Sequence, residues 1–250
     1  MCVLPDEIRA QANIAESLAE LQRNDEALVY IDAAISRNPH SQKLRLNKAF
    51  TLLLLKKYRE GWQAYESRLN QEIDEAPKRL LSIPRWKHEA LKDKTILVCS
   101  EQGVGDEILF SAYVTKLSNM AKHVIIETDP RLVPLVSRSF KHLEVYPYSR
   151  RISGTQPIYN YHWLKKCKTY PDLFVDIASL PYFLEETHQK ALSTTPHLQG
   201  DTNVTRAWRD RLNEMSRGKP VLGLFWRSGL YTGARKHFYP TTVSYTHLTL

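Results

Sequence analysis

The residues best suited to chemistry lie in the sequence EQGVGD, residues 101–106, which follows the apolar run TILVCS at residues 95–100. An apolar strand, a glycine-containing loop and a helix form the arrangement of a Rossmann-like unit, whose ligands bind at this end. Gly103 and Gly105 allow the backbone to approach a ligand, and the amino end of the following helix favours negative charge. The loop lacks the third glycine of G-x-G-x-x-G and the G-K-[ST] of a P-loop, so it supports neither a dinucleotide nor an ATP site.

Short β-branched runs alternate with helical segments on both sides of this loop. The helices predicted between the strands include residues 106–120, 131–139 and 204–215, and the predicted strands are residues 95–100, 123–128, 143–146, 173–177 and 221–226. Strands that alternate with helices are typical of a doubly wound parallel sheet. We therefore expect a Rossmann-like α/β domain after the helical segment described next.

Residues 6–73 have the periodicity of helices, because their apolar residues recur three and four positions apart. Breaks near residues 24–25, 38–41 and 56–57 divide the segment into four short helices. A shift of 34 residues superposes packing positions of similar role, namely Ala15 on Ala49, Leu18 on Leu52, Ala27 on Gly61 and Ile31 on Tyr65. With Ala34 and Pro39 also in place, the segment resembles about two tetratricopeptide units, and the alternative is a plain pair of helical hairpins.

The sequence predicts five regions along the chain. Residues 1–73 are the tetratricopeptide-like helices, residues 74–94 are a basic linker that contains Pro77 and Pro84, and residues 95–218 are the Rossmann-like domain. Residues 219–240 are expected to begin a second domain, which would need over about 100 residues to be complete. Residues 241–250 are expected to be a non-native tail.

The composition is that of a soluble globular protein, with 42% hydrophobic and 25% charged residues and no apolar run long enough to span a membrane. The amino terminus carries no export signal, so we expect a cytoplasmic location. A formal charge of +8 favours anionic ligands, but without a tract of five basic residues it does not indicate nucleic-acid binding. The three cysteines lack zinc-ligand spacing, and we expect no metal site.

Several ordered motifs carry a resemblance to a known family. They are EGWQAYESRL (60–69), EQGVGDEILFSAYVTKL (101–117), ETDPRLVPLVSRSF (127–140), SLP (179–181) and VLGLFWRSG (221–229). Together they resemble bacterial tetratricopeptide-repeat glycosyltransferase-like proteins, which are similar in their catalytic half to lipopolysaccharide heptosyltransferases and, more loosely, to protein O-GlcNAc transferases. The resemblance implies a GT-B architecture, in which two Rossmann-like domains face each other across a cleft that holds a sugar nucleotide.

The resemblance implies a role for two carboxylates near the first strand. Asp106 matches the catalytic carboxylate of the family's Gly-Asp step and would act as general base, since an acceptor hydroxyl must lose its proton as it attacks the anomeric carbon. The alternative is that Asp106 only caps its helix. Glu101 is a second candidate that would bind or activate the acceptor, and its alternative is a solvated strand-end residue.

The resemblance also implies a donor phosphate site after residues 221–226. Arg227, with the loop residues Ser228 and Gly229, would face the diphosphate and stabilise the charge that develops on the leaving group. Lys236 resembles a basic residue further along the family's loop, and a solvated surface role is its alternative. No Asp-x-Asp occurs in the sequence, so we expect no metal or other cofactor, with the nucleotide sugar as substrate.

The sequence therefore predicts a fragment of a glycosyltransferase that moves a sugar from a nucleotide-sugar donor to an acceptor hydroxyl. The fragment would be inactive by itself, and a protein or glycan acceptor would be recruited by the tetratricopeptide-like segment. The alternative is an interaction scaffold with a non-catalytic Rossmann-like domain. A Rossmann-like enzyme outside glycosyl transfer is disfavoured by the missing dinucleotide fingerprint.

Overall fold

The computed structural model describes residues 5–184 and 197–223. The chain divides into two compact units, residues 1–200 and residues 201–250. The first unit therefore contains the predicted helical segment, the predicted linker and most of the predicted Rossmann-like domain.

Four helices open the first unit, as the periodicity of residues 6–73 predicts. They are α1 (Pro5–Glu20), α2 (Asn24–Arg37), α3 (Gln42–Leu54) and α4 (Tyr58–Tyr65), and a 3-10 turn at Glu66–Leu69 follows α4. That these helices are tetratricopeptide units stays a prediction.

Small residues set how closely these helices pack. Ala27 in α2 and Ala49 in α3 are fully buried. Gly61 in α4 is also buried, and a Cβ placed on it would lie 2.8 Å from Cδ2 of Leu53 in α3. Since that separation is too short for two carbon atoms, any larger residue at position 61 would force the Leu53 side chain to move.

The described residues form two sheets. Their strands are β1 (Lys78–Leu80), β2 (Thr95–Cys99), β3 (His123–Thr128), β4 (Glu144–Pro147), β5 (Ser149–Ser153), β6 (Gln156–Asn160) and β7 (Leu173–Asp176). The larger sheet has the order β4-β3-β2-β7, and all its neighbouring strands are parallel. The α/β fold with a parallel sheet is therefore confirmed.

Every residue of β2 is buried, which explains why this strand reads as a continuous apolar run instead of an alternating one. The helices that accompany the large sheet are α5 (Val104–Phe110), α6 (Val114–Met120), α7 (Val133–Ser139) and α8 (Leu180–Phe183). The apolar core lies between them, the sheet and the buried side of α4.

The helix predicted at residues 106–120 begins two residues earlier, at Val104. Gly103 has extended backbone and is the cap residue, and the side chain of Asp106 accepts a hydrogen bond from the Gly103 amide. Asp106 therefore lies in the first turn of α5 instead of preceding it. The 3-10 turn Ser111–Tyr113 separates α5 from α6.

The smaller sheet, with the order β1-β6-β5, was not predicted. β1 lies within residues 74–94, which the sequence predicts as a linker, and it pairs in parallel with β6. In the same segment Trp86 is 1% exposed, and its amide donates to the carbonyl of Phe174 at 2.8 Å. Residues 74–94 are thus part of the packed first unit. Their partners, β6 and Phe174, lie about 80 residues later in the chain, so no local sequence pattern indicates this packing.

The second unit contains the helix α9 (Thr202–Ser216), which matches the prediction for residues 204–215. Asp201 caps it by accepting hydrogen bonds from the amides of Asn203 and Val204, both at 3.0 Å. Residues 221–223, the first half of the last predicted strand, have no regular secondary structure, and residues 224–226 lie outside the described residues. Within the described ranges, no helix has both the length and the apolar character needed to cross a membrane.

Candidate functional site

Polar residues collect at the carboxyl end of the large parallel sheet. Ser100 and Glu101 follow β2, Asp129 follows β3, and Asp176 ends β7. The carboxyl ends of parallel strands meet at one edge, where open α/β sheets bind their ligands.

A cavity of 430 Å³ opens at this edge, between the helices α3 and α4 and the small sheet. Its volume lies within the range of about 300–1,000 Å³ that is usual for small-molecule sites. Aromatic side chains from both sides form its walls, namely Phe50, Tyr65 and Tyr159. Its polar lining residues are Arg68, Glu75, Glu101, Gln102, Arg150 and Thr155.

The loop that leads into α5 borders this cavity. Gln102 lines it and has a φ of +59°, in the left-handed region that favours glycine, and its side-chain amide donates to the Tyr65 hydroxyl at 2.6 Å. Burial raises the pKa of Tyr65, and the nearby carboxylates of Glu101 and Asp106 add to that increase. Asp106 therefore lies near Tyr65, although it does not itself line the cavity.

Asp106 itself is half-buried, and only one of its two oxygens has a partner. Oδ2 accepts the hydrogen bond from the Gly103 amide at 3.2 Å, whereas Oδ1 accepts none from the residues that the structure describes. The space around Gly105 is open, because a Cβ placed there would meet no atom within 4 Å. A Cβ on Gly103 would lie 3.4 Å from Oδ2 of Asp106.

Glu101 has a different environment from the one expected of a solvated strand-end residue. Its side chain is 2% exposed. Arg68 donates from Nη2 to Oε1 at 2.6 Å and from Nε to Oε2 at 3.0 Å, and the Ala178 amide donates to Oε1 at 2.9 Å. Both oxygens of Glu101 are thus occupied, and the ion pair ties the turn after α4 to the sheet.

A second ion-pair cluster lies beside the first. Arg79 donates from Nε to Oδ1 of Asp176 at 2.8 Å, and Arg85 donates from Nε to Oδ2 at 3.1 Å. Arg85 also donates to Glu66 at 2.6 Å. Burial acts to raise the pKa of Asp176, but the charges of Arg79 and Arg85 outweigh it and the pKa is lowered.

Glu127, the penultimate residue of β3, is fully buried and accepts a hydrogen bond from the Ser100 amide at 3.1 Å. Burial raises its pKa to about 8, although Arg79 lies 3.7 Å away. The clusters already balance three guanidinium groups with three carboxylates: Arg68, Arg79 and Arg85 with Glu66, Glu101 and Asp176. Glu127 is a fourth carboxylate beside these three guanidinium groups, and its nearest cation, Arg79, is already paired more closely with Asp176, so burial dominates its pKa.

Glu107 follows Asp106 directly but points into the protein. It accepts hydrogen bonds from the hydroxyls of Ser100 and Thr128, both at 2.6 Å, and from the Asp129 amide at 2.9 Å. Burial raises the pKa of Glu107. Glu107 thus fastens α5 to the ends of β2 and β3 and holds Asp106 on the outer side of the helix.

The structure brings four of the predicted site residues together at the sheet edge: Glu101, Gly103, Gly105 and Asp106. The predicted donor-site residues Arg227, Ser228, Gly229 and Lys236 lie outside the described residues. Apart from Glu101, the residues of the buried ion pairs were not predicted from the sequence. The sequence feature that could have indicated them is a charged residue at the end of an apolar strand, as in VIIET (124–128) and LFVD (173–176).

These features define an α/β protein with a parallel sheet, four preceding helices and an open cavity between them. The chain is similar to Protein FlbA of Caulobacter vibrioides, with 28% identity over 236 residues, which cover 90% of this chain. It spans 38% of the length of that relative. No family model and no solved structure matches the chain.

Proposed function

We propose that the chain is part of a glycosyltransferase that moves a sugar from a nucleotide-sugar donor to an acceptor hydroxyl. Its motifs resemble tetratricopeptide-repeat glycosyltransferase-like proteins of GT-B architecture, and the large sheet is compatible with the Rossmann-like half of that architecture. Because the chain spans 38% of FlbA, the activity, substrates and partners proposed here concern the whole protein.

The state of Asp106 is the observation that carries this proposal. Among the carboxylates that follow β2, β3 and β7 in the described ranges, Asp106 alone is both half-buried and left with an oxygen that accepts no hydrogen bond. Glu101, Glu107 and Asp176 are buried with both oxygens occupied. A general base must reach the proton that it removes, and the free Oδ1 of Asp106 leaves one oxygen available for this.

In the proposed reaction, the acceptor extends from the cavity past Gln102 to Asp106, with its hydroxyl near Oδ1. The hydroxyl oxygen attacks the anomeric carbon, its proton passes to Asp106, and the bond from the sugar to the nucleoside diphosphate breaks. Asp106 keeps its position through the Gly103 amide. Arg227, the loop of Ser228 and Gly229, and Lys236 would stabilise the departing diphosphate without a metal.

Glu101 has a supporting role in this proposal. Its pairing with Arg68 fixes the cavity wall between the helices and the sheet, because Arg68 and Glu101 both line the cavity. We therefore assign the proton transfer to Asp106 and the shape of the acceptor site to the Arg68–Glu101 pair.

The proposal is tested by calorimetric titration of UDP-, GDP- and ADP-sugars into this chain and into a form extended by the DNA that follows it in the source. The extended form is expected to bind one donor and to release its nucleoside diphosphate when an acceptor is added. Arg227→Ala is expected to abolish donor binding. Binding by neither form would contradict the proposal.

A second candidate function, a protein-interaction scaffold, is favoured by a groove of 690 Å³ on the helical segment. The groove is rich in polar side chains that suit peptide contacts, among them Gln42, Arg45, Gln63 and Asn70. In the titrations above, this candidate predicts no donor binding by either form. In the glycosyltransferase, the same groove would recruit a protein or glycan acceptor.

A further inference from the structure

The edge of the small sheet at β5 is open to a further strand. β5 is the last strand in the order β1-β6-β5, and all five of its residues are exposed. Apart from its ladder with β6, the backbone of residues 149–153 makes no hydrogen bond to the described part of the chain. Unpaired amides and carbonyls at a sheet edge are the groups that bind an extended peptide by strand addition.

One face of this edge forms part of the cavity wall. Arg150 pairs with Tyr159 and Ile152 pairs with Pro157 across the ladder, and these four residues all line the cavity. Ile152 is 60% exposed. A strand added to β5 would therefore place every second side chain over the cavity, beside Ile152 and Arg150.

The positive charge of the small sheet favours an acidic peptide. Its three strands contain Lys78, Arg79, Arg150 and Arg151 and no acidic residue. Arg79 is occupied by Asp176, but Arg150 and Arg151 form no ion pair with the described residues. Arg150 is held in place by the Tyr148 ring, 4.5 Å from its guanidinium carbon, and by a 3.3 Å hydrogen bond to the Tyr159 hydroxyl.

We propose that β5 is a docking edge for an extended acidic peptide, which adds to the sheet as a strand and covers the cavity with an apolar side chain. A second copy of this chain fits poorly, since pairing two β5 edges would bring arginines of both copies together. The inference concerns binding alone and does not depend on sugar transfer.

The alternation of side chains along a strand gives the expected sequence pattern. The residue beside Arg150 and the residue beside Arg151 would be acidic, on opposite faces of the sheet, and the residue beside Ile152 would be apolar. The pattern is Glu-Glu-Val for a parallel strand and Val-Glu-Glu for an antiparallel one. A heptapeptide covers the five residues of β5, which extend over about 17 Å at about 3.4 Å per residue.

The test uses two fluorescein-labelled heptapeptides, Gly-Thr-Glu-Glu-Val-Thr-Gly and Gly-Thr-Val-Glu-Glu-Thr-Gly, and measures their anisotropy with the full chain. We expect one of them to bind, more weakly at high salt, and expect no binding of the forms in which lysine replaces both glutamates. N-methylation of alternate peptide amides should abolish binding, because it removes the donors that strand addition needs.

Variants of the chain locate the binding to β5. Arg150→Gln and Arg151→Gln should each weaken binding by about tenfold, as expected for loss of a close charge pair at an interface. Lys92→Gln is the matched control, because Lys92 is exposed and precedes the amino end of β2, and it should leave binding unchanged. In the unaltered protein, bound peptide should slow hydrogen exchange of the amides of residues 149–153.

Three results would each overturn the proposal. The first is that neither acidic peptide binds. The second is that the lysine or N-methylated forms bind equally well. The third is that peptide binds without protecting any amide of residues 149–153.

Discussion

Glu101 and Asp106 lie five residues apart, one after β2 and the other in the first turn of α5, and they have opposite environments. Glu101 belongs to the buried ion-pair clusters, with both oxygens occupied by Arg68 and a backbone amide. Asp106 lies at the turn formed by Gly103 and Gly105, half-buried and with one free oxygen among the described contacts. Residue type alone therefore does not distinguish the proposed base from a structural carboxylate, whereas burial and pairing do.

The largest expected effect comes from removing Arg68, the cation that pairs with the buried Glu101. Arg68→Ala should lower the free energy of unfolding by about 3–5 kcal/mol, because it leaves Glu101 buried without its partner. Urea unfolding followed by circular dichroism measures this loss. Lys43→Ala, which breaks the exposed pair with Asp74, is the control and should cost at most about 1 kcal/mol. Equal losses of unfolding free energy for Arg68→Ala and Lys43→Ala would show that the buried ion pair stabilises the fold no more than an exposed one does.

The pH dependence of stability tests whether Glu127 is protonated in the buried ion-pair clusters. Its pKa is raised in the folded protein from the usual 4.5 to about 8. Between these values the folded state holds the proton more firmly than the unfolded state, so stability is lost as the pH rises, by at most about 1.4 kcal/mol per pH unit. Glu127→Gln should reduce this slope in urea unfolding from pH 5 to 8, and the slope that remains includes the contribution of Glu107, whose pKa burial also raises. An unchanged slope in the variant would contradict the assignment.

The smallest expected effect comes from Gly105, in the first turn of α5. Gly105→Ala should raise the free energy of unfolding by about 0.5–1 kcal/mol, because Gly105 lies in α5 and its Cβ would meet no atom within 4 Å. If a ligand approaches this backbone, the same variant should weaken ligand binding in calorimetry while thermal stability increases. Unchanged binding would remove Gly105 from the site.

The large sheet could be predicted from the sequence because each of its strands is a short apolar run that can be recognised locally. β2, β3, β4 and β7 were each predicted to within one residue at both ends. The small sheet could not, since β1 is three residues long and β6 contains Pro157, which weakens its strand pattern.

The candidate site was predicted only in its local part. The loop of Gly103, Gly105 and Asp106 could be recognised because its residues are adjacent in sequence. The role of Glu101 could not, because its partner Arg68 is 33 residues away and also donates to Ser179, which is 111 residues from Arg68. Pairings at such separations leave no periodicity in the sequence, so a buried ion-pair residue looks the same as a solvated one.

The proposed base is tested most directly by the rate of sugar transfer with Asp106→Asn. This variant keeps an oxygen that can accept the Gly103 hydrogen bond and removes the group that takes the proton. In the extended form that binds a donor, we predict that kcat falls by about 100-fold or more while donor affinity is unchanged. Asp93→Asn, at an exposed residue before the amino end of β2, should leave kcat unchanged. A kcat for Asp106→Asn within a few-fold of the unaltered protein would contradict the assignment of Asp106 as the base.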